Sequence, residues 1–194
     1  LEDQATAIAD MAEQAAILEG FISFSREISI IGARNIAGDV ACFDPGENIH
    51  QAGILRTTTV PAQINATQRM DAVLLAAQIM NALAYVGVMG VELFVTGQGL
   101  IVNEIAPRVH NSGHWTQNGC AVDQFEQHIR AIANWPLADG SRHSDVTMTN
   151  LIGDDLNALE ALSSQAGTAL HLYGKAEIKP GRKMGHYNSV RPKS

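Results

Sequence analysis

Apolar and polar positions change period several times along the 194 residues. Residues 2 to 18 are rich in Ala, Glu and Gln, with Ile8, Met11, Ala15 and Leu18 spaced for a helix of modest amphipathicity. Glu19-Gly20-Phe21-Ile22 opens an extended segment, residues 23 to 35 alternate as a strand, and Asn35 to Asp39 form a turn. Val40 to Phe43 reads as the return strand, stopped by Asp44-Pro45-Gly46, and a further strand or loop runs from Asn48 to Val60. Thr67 caps a predicted helix over residues 68 to 85, with Met70, Val73, Leu74, Ala77 and Leu83 on its apolar face and Gly87 ending it. Asp123 starts a second helix through Ala133, which Trp135-Pro136 breaks. Beyond residue 145 the pattern is short strands and one helix, Leu156 to Gln165, without repeats or low-complexity tracts.

Between the two long helices lies the most informative pattern. Two apolar, branched runs, Val88 to Val95 and Leu100 to Ala106, flank Thr96-Gly97-Gln98-Gly99, which is hairpin punctuation. A three-residue loop over Gly97 to Gly99 pairs Thr96 with Leu100 and, counting back, Glu92 with Glu104. Like charges directly opposite on one face repel, and a hard cation between them removes the conflict. The alternative is two solvated glutamates on an outward face. Strict alternation places Asn103 on the face opposite Glu104, so Asn103 joins the pair only through a local bulge.

The loop after this hairpin, Asn103-Glu104-Ile105-Ala106-Pro107-Arg108-Val109-His110-Asn111-Ser112-Gly113-His114-Trp115-Thr116, gathers polar and cationic groups at a strand end, where binding groups concentrate. A glutamate on one strand, an Asn-Glu on the next and an arginine four residues beyond resemble the metal-holding acids of the ATP-grasp enzymes. The fourteen-residue string as a whole resembles the 5-(carboxyamino)imidazole ribonucleotide synthase family, carboxylating ATP-grasp enzymes of purine synthesis. The resemblance implies an α+β fold: an ATP-grasp large lobe, antiparallel sheet with packed helices, and a small β-rich closing domain. On that reading residues 1–22 are a remnant of the small lobe and hinge, 23–135 the large lobe and 136–194 the closing domain. The N-terminal domain and most of the small lobe, with their phosphate-binding lysines and glycine-rich loop, would then be absent.

Composition fits that frame. Hydrophobic residues make up 46% and charged residues 17%, a globular rather than disordered balance. A net charge of −7 argues against a nucleic-acid partner. No apolar run is long enough to span a bilayer and no signal-peptide pattern opens the chain, so no membrane partner and a cytoplasmic location are expected. Cys42 and Cys120 lie apart in apolar contexts, as buried thiols rather than a disulfide or metal pair. Charge is uneven: Lys175, Lys179, Arg182, Lys183, Arg191 and Lys193 crowd the tail, with Glu177 the only acid among them. This reads either as a solvated basic strand or as a phosphate-binding corner.

The resemblance extends residue by residue. Glu19, Gly20, Phe21 and Ile22 resemble the adenine-binding segment, Glu27 the acid on the ribose hydroxyls, and His50 a nucleotide-side histidine. Asn103 and Glu104 fall on the nucleotide's phosphate side, and Glu92 and Glu104 on one or two Mg²⁺. Arg108 matches a bicarbonate-binding arginine. His110 and His114 stand four apart, but Asn111-Ser112-Gly113 is not helical and hard Mg²⁺ prefers oxygen, so His110, Asn111, Ser112 and His114 read as shaping the acceptor pocket. Lys175 and Arg182 resemble a clamp on a ribonucleotide 5′-phosphate, with Pro180-Gly181 turning Arg182 inward. The implied substrates are ATP, bicarbonate and aminoimidazole ribonucleotide, and the implied assembly is a homodimer. Two rivals remain: a formate-using glycinamide ribonucleotide transformylase of the same superfamily, and a non-catalytic nucleotide-binding remnant.

Overall fold

The protein is described from a computed structural model over residues 6, 8, 9, 11 and 14–194. The rest of the helix expected at residues 2–18, and most of the expected lobe remnant before residue 14, lie outside the described residues. Thr6, Ile8 and Ala9 are helical, but Gln14 to Phe24 form no regular element. Leu18 and Phe21 are almost fully exposed.

One nine-stranded sheet organises the chain. Its strands are β1 (Arg26–Arg34), β2 (Val40–Cys42), β3 (Gly46–Gln51), β4 (Ile54–Val60), β5 (Gly87–Thr96), β6 (Gly99–Ala106), β7 (Ser144–Ile152), β8 (Thr168–Leu172) and β9 (Lys183–Pro192). They run in the order β6-β5-β1-β3-β4-β7-β9-β8, with β2 on β1, and every pairing is antiparallel. The tail strands join by β4–β7 pairing, so no break in the sheet separates residues 136–194 from 23–135. Gly46 opens β3 instead of ending a turn, and the stretch after it is a second hairpin. Ala52 and Gly53 both take positive φ (49° and 74°), the twist a two-residue hairpin turn requires.

Helix α1 (Ala66–Ala82) starts two residues earlier than its sequence signal. Asn65, not Thr67, caps it: the Asn65 side chain accepts from the Gln68 N–H at 2.8 Å and the Gln68 side chain accepts from the Asn65 N–H at 3.1 Å. The buried face also differs from the expected one. Ala72, Ala76 and Met80 are fully buried, whereas Met70, Leu74 and Leu83 are more than half exposed. Two alanines one turn apart let the helix lie close on Ile30, Met89 and Val91, an approach that leucines would block. The helix is apolar almost all round, so periodicity alone does not choose its face. Chemical denaturation should therefore register Leu74→Gln as a change below about 0.5 kcal/mol. Ala76→Leu, which overfills the helix–sheet contact, should cost about 1–3 kcal/mol.

The two sheet faces have different fates. Ile28, Ile30, Met89, Val91, Leu93 and Val95 pack under α1. On the other face Ile31, Ala33, Val88 and Trp115 form a second core toward one end of β1 and β5. Toward the other end that same face presents Ser29, Glu27, Glu92 and Phe94, since alternate residues share a face. Three further α-helices are short: α2 (Thr116–Gly119), α3 (Gln124–Ile132, capped by Asp123) and α4 (Leu159–Ser163).

Candidate active site

Glu92 and Glu104 are directly paired across β5 and β6. Two offsets from the simple count cancel to bring this about. The loop holds two residues, Gly97 and Gln98, so Thr96 pairs with Gly99 and Leu93 with Val102. The register then shifts between Leu93 and Glu92, with Asn103 as the extra residue of a bulge. Asn103 lines an apolar hollow with Ile79, Ala82 and Leu83, which Glu104 also borders.

His110 completes the group. Ligand atoms of Glu92, Glu104 and His110 all lie within 4.8 Å of one another. His110 Nε2 is 3.9 Å from Glu92 Oε1, and both side chains are nearly buried. The His110 Cβ rests on Gly90, where an added methyl would come within 2.8 Å of it. Fully buried Gln124 grips the loop from behind: its Oε1 accepts from the His110 N–H (2.9 Å), and its amide donates to the His110 carbonyl (2.8 Å) and His114 Nδ1 (2.9 Å). The Ser112 hydroxyl (2.8 Å) and N–H (3.4 Å) both meet His110 Nδ1. Burial foremost, then the charge of Arg108, holds the His110 pKa down to about 4, so the ring is neutral at pH 7. With Nδ1 accepting, the ring proton sits on Nε2, facing the carboxylates. Burial, then the charge of Glu104, raises the Glu92 carboxyl above its usual range.

Other loop residues are committed internally. Asn111 exchanges two amide hydrogen bonds with Asn150, at 2.9 and 2.7 Å. Ser112 is buried behind His110. His114 stacks on His186 at 4.7 Å and lines a separate hollow with Phe125, His171 and Tyr173. Of the four residues assigned to an acceptor pocket, His110 alone lines the glutamate cleft.

That cleft has a volume of about 470 Å³ and is walled by His50, the Gly53–Leu55 turn, Glu92, Glu104, His110, Lys175, Gly181 and Lys183. The tail thus folds back onto the hairpin. Lys175 donates to the Lys183 carbonyl at 2.6 Å and lies 5.5 Å from the Tyr173 ring centre. Arg182 is half-buried but turns its guanidinium to the Glu177 carbonyl at 3.3 Å, and it is not among the cleft's walls. Arg108 is exposed, donates to the Val109 carbonyl at 3.1 Å and likewise lies outside those walls. Lys183, which the sequence placed only in a basic cluster, stands in the cleft, half-buried. The signal lay in its string Gly181-Arg182-Lys183, but only the strand register decides which cation turns inward.

Beside the cleft, Glu27 Oε2 and His50 Nδ1 meet at 2.5 Å, and a hollow of about 330 Å³ runs past them to Phe24 and Asn48. Phe24 stacks on Phe94 with ring centres 4.4 Å apart, an aromatic edge that sequence periodicity did not reveal. Glu19, Gly20 and Phe21 are exposed and Ile22 half-buried, and none of them lines these hollows.

Two carboxylates opposed on a bulged hairpin, with the His110 ring nitrogen beside them, offer a hard divalent cation its preferred carboxylate oxygens. Residues 2–125 match the family model of the ATP-grasp domain. The chain belongs to the ATP-grasp family. Residues 146–194 match a second model, the phosphoribosylaminoimidazole carboxylase C-terminal domain. This ATP-grasp chain is similar to the N5-carboxyaminoimidazole ribonucleotide synthase of Brucella melitensis, with 51% identity over 97% of this chain and 52% of that protein. It is also similar to the Escherichia coli synthase, at 49% identity over 89% and 48%. Among solved structures, an ADP complex of an N5-carboxyaminoimidazole ribonucleotide synthetase superposes with a TM-score of 0.85 at 41% identity, over 88% of this chain and 46% of that one. An Aspergillus clavatus synthase in complex with ADP and 5-aminoimidazole ribonucleotide gives 0.84 at 33% identity, over 88% and 48%. The chain spans about half the length of the curated relatives it matches. Among the described residues no helix is long and apolar enough to cross a membrane.

Proposed function

We propose that this chain supplies the metal, acceptor and closing parts of an ATP-dependent carbon–nitrogen ligase of the cytoplasm. The reaction is carboxylation of 5-aminoimidazole ribonucleotide by bicarbonate, with release of ADP and phosphate, in purine biosynthesis. The observation that carries it is the single cleft in which Glu92, Glu104, His110, Lys175 and Lys183 converge from distant parts of the chain. The relatives' names and the ribonucleotide in the Aspergillus complex supply the substrate class.

Glu92 and Glu104 would hold one or two Mg²⁺, which when bound neutralise the β- and γ-phosphates of ATP. Glu27 and His50 face the nucleotide side, with Glu19 to Ile22 leading into it and Asn103 beside Glu104. The bicarbonate oxygen attacks the γ-phosphorus and ADP leaves. The substrate amine then attacks the carboxyl carbon, delivered as carboxyphosphate or as the carbon dioxide released from it, and loses a proton as phosphate departs. Arg108 stands at the outer side of the His110 loop as a bicarbonate-binding cation. The Lys175 ammonium holds the ribonucleotide 5′-phosphate, and Arg182 joins it by turning from the Glu177 carbonyl into the cleft. The chain's part is positioning and charge neutralisation in a half-enclosed cleft. The same reading includes a homodimer, which sedimentation tests directly.

The deciding assay measures ADP release by this chain joined to the N-terminal remainder of the Brucella melitensis relative. Release should require aminoimidazole ribonucleotide together with bicarbonate. Release indifferent to both, or driven by formate and glycinamide ribonucleotide, would end the proposal.

A further inference from the structure

We infer that Asn150 is the positioning residue that sets the width of the cleft, because it ties the loop carrying His110 to the Gly53–Leu55 turn in another of the cleft's walls. The inference rests on the function proposed above and adds to it a residue of β7 that does not itself line the cleft.

The β4–β7 ladder runs from Val60 with Val146 to Thr57 with Thr149 and stops there. One residue further along β7, side chains take over. Asn150 is fully buried, and its amide donates to the Leu55 carbonyl at 2.8 Å and to Asn111 Oδ1 at 2.7 Å. Its Oδ1 accepts from the Asn111 amide at 2.9 Å, and its backbone carbonyl accepts from Arg56 Nη1 at 3.1 Å. Both amide protons and the side-chain oxygen are therefore engaged. Two opposed bonds between the same pair of amides fix orientation as well as distance, where a single bond would leave the partners free to swing.

The groups that Asn150 joins are walls of the site. Asn111 directly follows His110, whose ring nitrogen lies within 4.8 Å of the Glu92 and Glu104 oxygens. Leu55 and His110 both line the cleft, whereas Asn111 and Asn150 stand behind it. Gln124 holds the His110 backbone to α3, but among the described residues no other hydrogen bond joins the His110–His114 loop to β4 or β7. Asparagine suits the place because its amide donates and accepts at once, and an apolar residue there would leave the Leu55 carbonyl and the Asn111 amide unpaired. The nucleotide side, at Glu27 and His50, is built on β1 and β3 and has no bond to Asn150.

A wall displaced by about 1 Å can cost on the order of 100-fold when reactants must be held in line. The test measures kinetics in the chain joined to the Brucella melitensis remainder, and amide hydrogen exchange in the chain alone. Asn150→Ala should raise the KM for aminoimidazole ribonucleotide about tenfold while the KM for ATP stays within about twofold, a split that mere loss of folded protein would not produce. Asn111→Ala cuts the same link from its half-buried side and keeps the Asn150 bond to Leu55, so it decides the matter even where Asn150→Ala does not fold. The double variant should match Asn150→Ala, since the second substitution removes a link already broken. The Gly113 and His114 amides, bonded to the His110 and Asn111 carbonyls, should exchange about tenfold faster in each variant, with Met148 and Asn188 of the β7–β9 ladder unchanged. An unchanged ribonucleotide KM, effects that multiply in the double variant, or exchange that quickens equally across the sheet would each overturn the inference and leave the proposed function standing. A parent enzyme whose ADP release ignores the ribonucleotide would end the proposed function, and the inference with it.

Discussion

Glu104→Gln is expected to weaken Mn²⁺ binding at least about 100-fold, since even partners that merely orient a ligand are worth 10–100-fold. The same substitution should leave the metal-free chain as stable as before, or slightly more so. Glu92 and Glu104 face each other across the hairpin, and burial together with the Glu104 charge raises the Glu92 carboxyl. An acid whose pKa is raised on folding destabilises the folded state at neutral pH, and that penalty fades as pH falls toward the unfolded value. The neutral amide removes the like charge and keeps the shape, so relief of roughly 0.2–1 kcal/mol should follow. Electron paramagnetic resonance of Mn²⁺ and urea unfolding with chelator, run on the parent chain and the Glu104→Gln variant, separate the effects. A variant that loses stability while keeping the metal would show that the pair is a structural contact.

The second large effect is on acid stability. His114, His171 and His186 form a stacked column, with ring centres 4.7 and 4.6 Å apart, and the His186 Nδ1 meets the Tyr173 hydroxyl at 2.8 Å. Burial holds the pKa of His114 down to about 4 and that of His186 to about 3, with neighbouring rings lowering both further. The column is therefore neutral when folded, whereas the unfolded rings take up protons near pH 6.5. The unfolded state binds more protons between that value and the folded pKa, so stability is full above about pH 6.5 and falls as pH drops. His114 and His186 each contribute a slope of up to about 1.4 kcal/mol per pH unit in that window. Stability between pH 7 and 5 should consequently fall by several kcal/mol, before the carboxylates Asp145 and Asp155, whose pKa values are lowered, begin to protonate. His186→Phe keeps a ring in the column and should flatten the slope by one ring's share, at the cost of the Tyr173 hydroxyl's hydrogen bond to the His186 Nδ1. An unchanged slope in urea unfolding would remove the column from the account.

Legibility followed the reach of each interaction. The hairpin and its facing glutamates were readable because pairing there is local. Even so, the loop and the bulge at Asn103 each shifted the count by one and cancelled. Helix α3 was legible from Asp123 at its start and Trp135-Pro136 beyond its end. The buried face of α1 was not, because small alanines under a sheet carry no periodic mark. Which tail cation enters the cleft was likewise hidden: Arg182 and Lys183 are neighbours, and only pairing across β7 and β9 separates them. The occupation of Asn111 by Asn150 depends on residues 39 apart, which no local pattern encodes.

The β4–β7 seam has one more consequence. Two family models divide this chain between residues 125 and 146, yet β7 from the second segment completes the sheet of the first. Arg142, almost fully buried, is shared between Asp44 on one side of that division and Asp145 near the other. A boundary useful for classification is therefore not a boundary for heat. Calorimetry should find a single endotherm whose van't Hoff and measured enthalpies agree. Severing the chain at residue 143 would give neither piece a melting transition of its own, because each would take away the other's neighbouring strand.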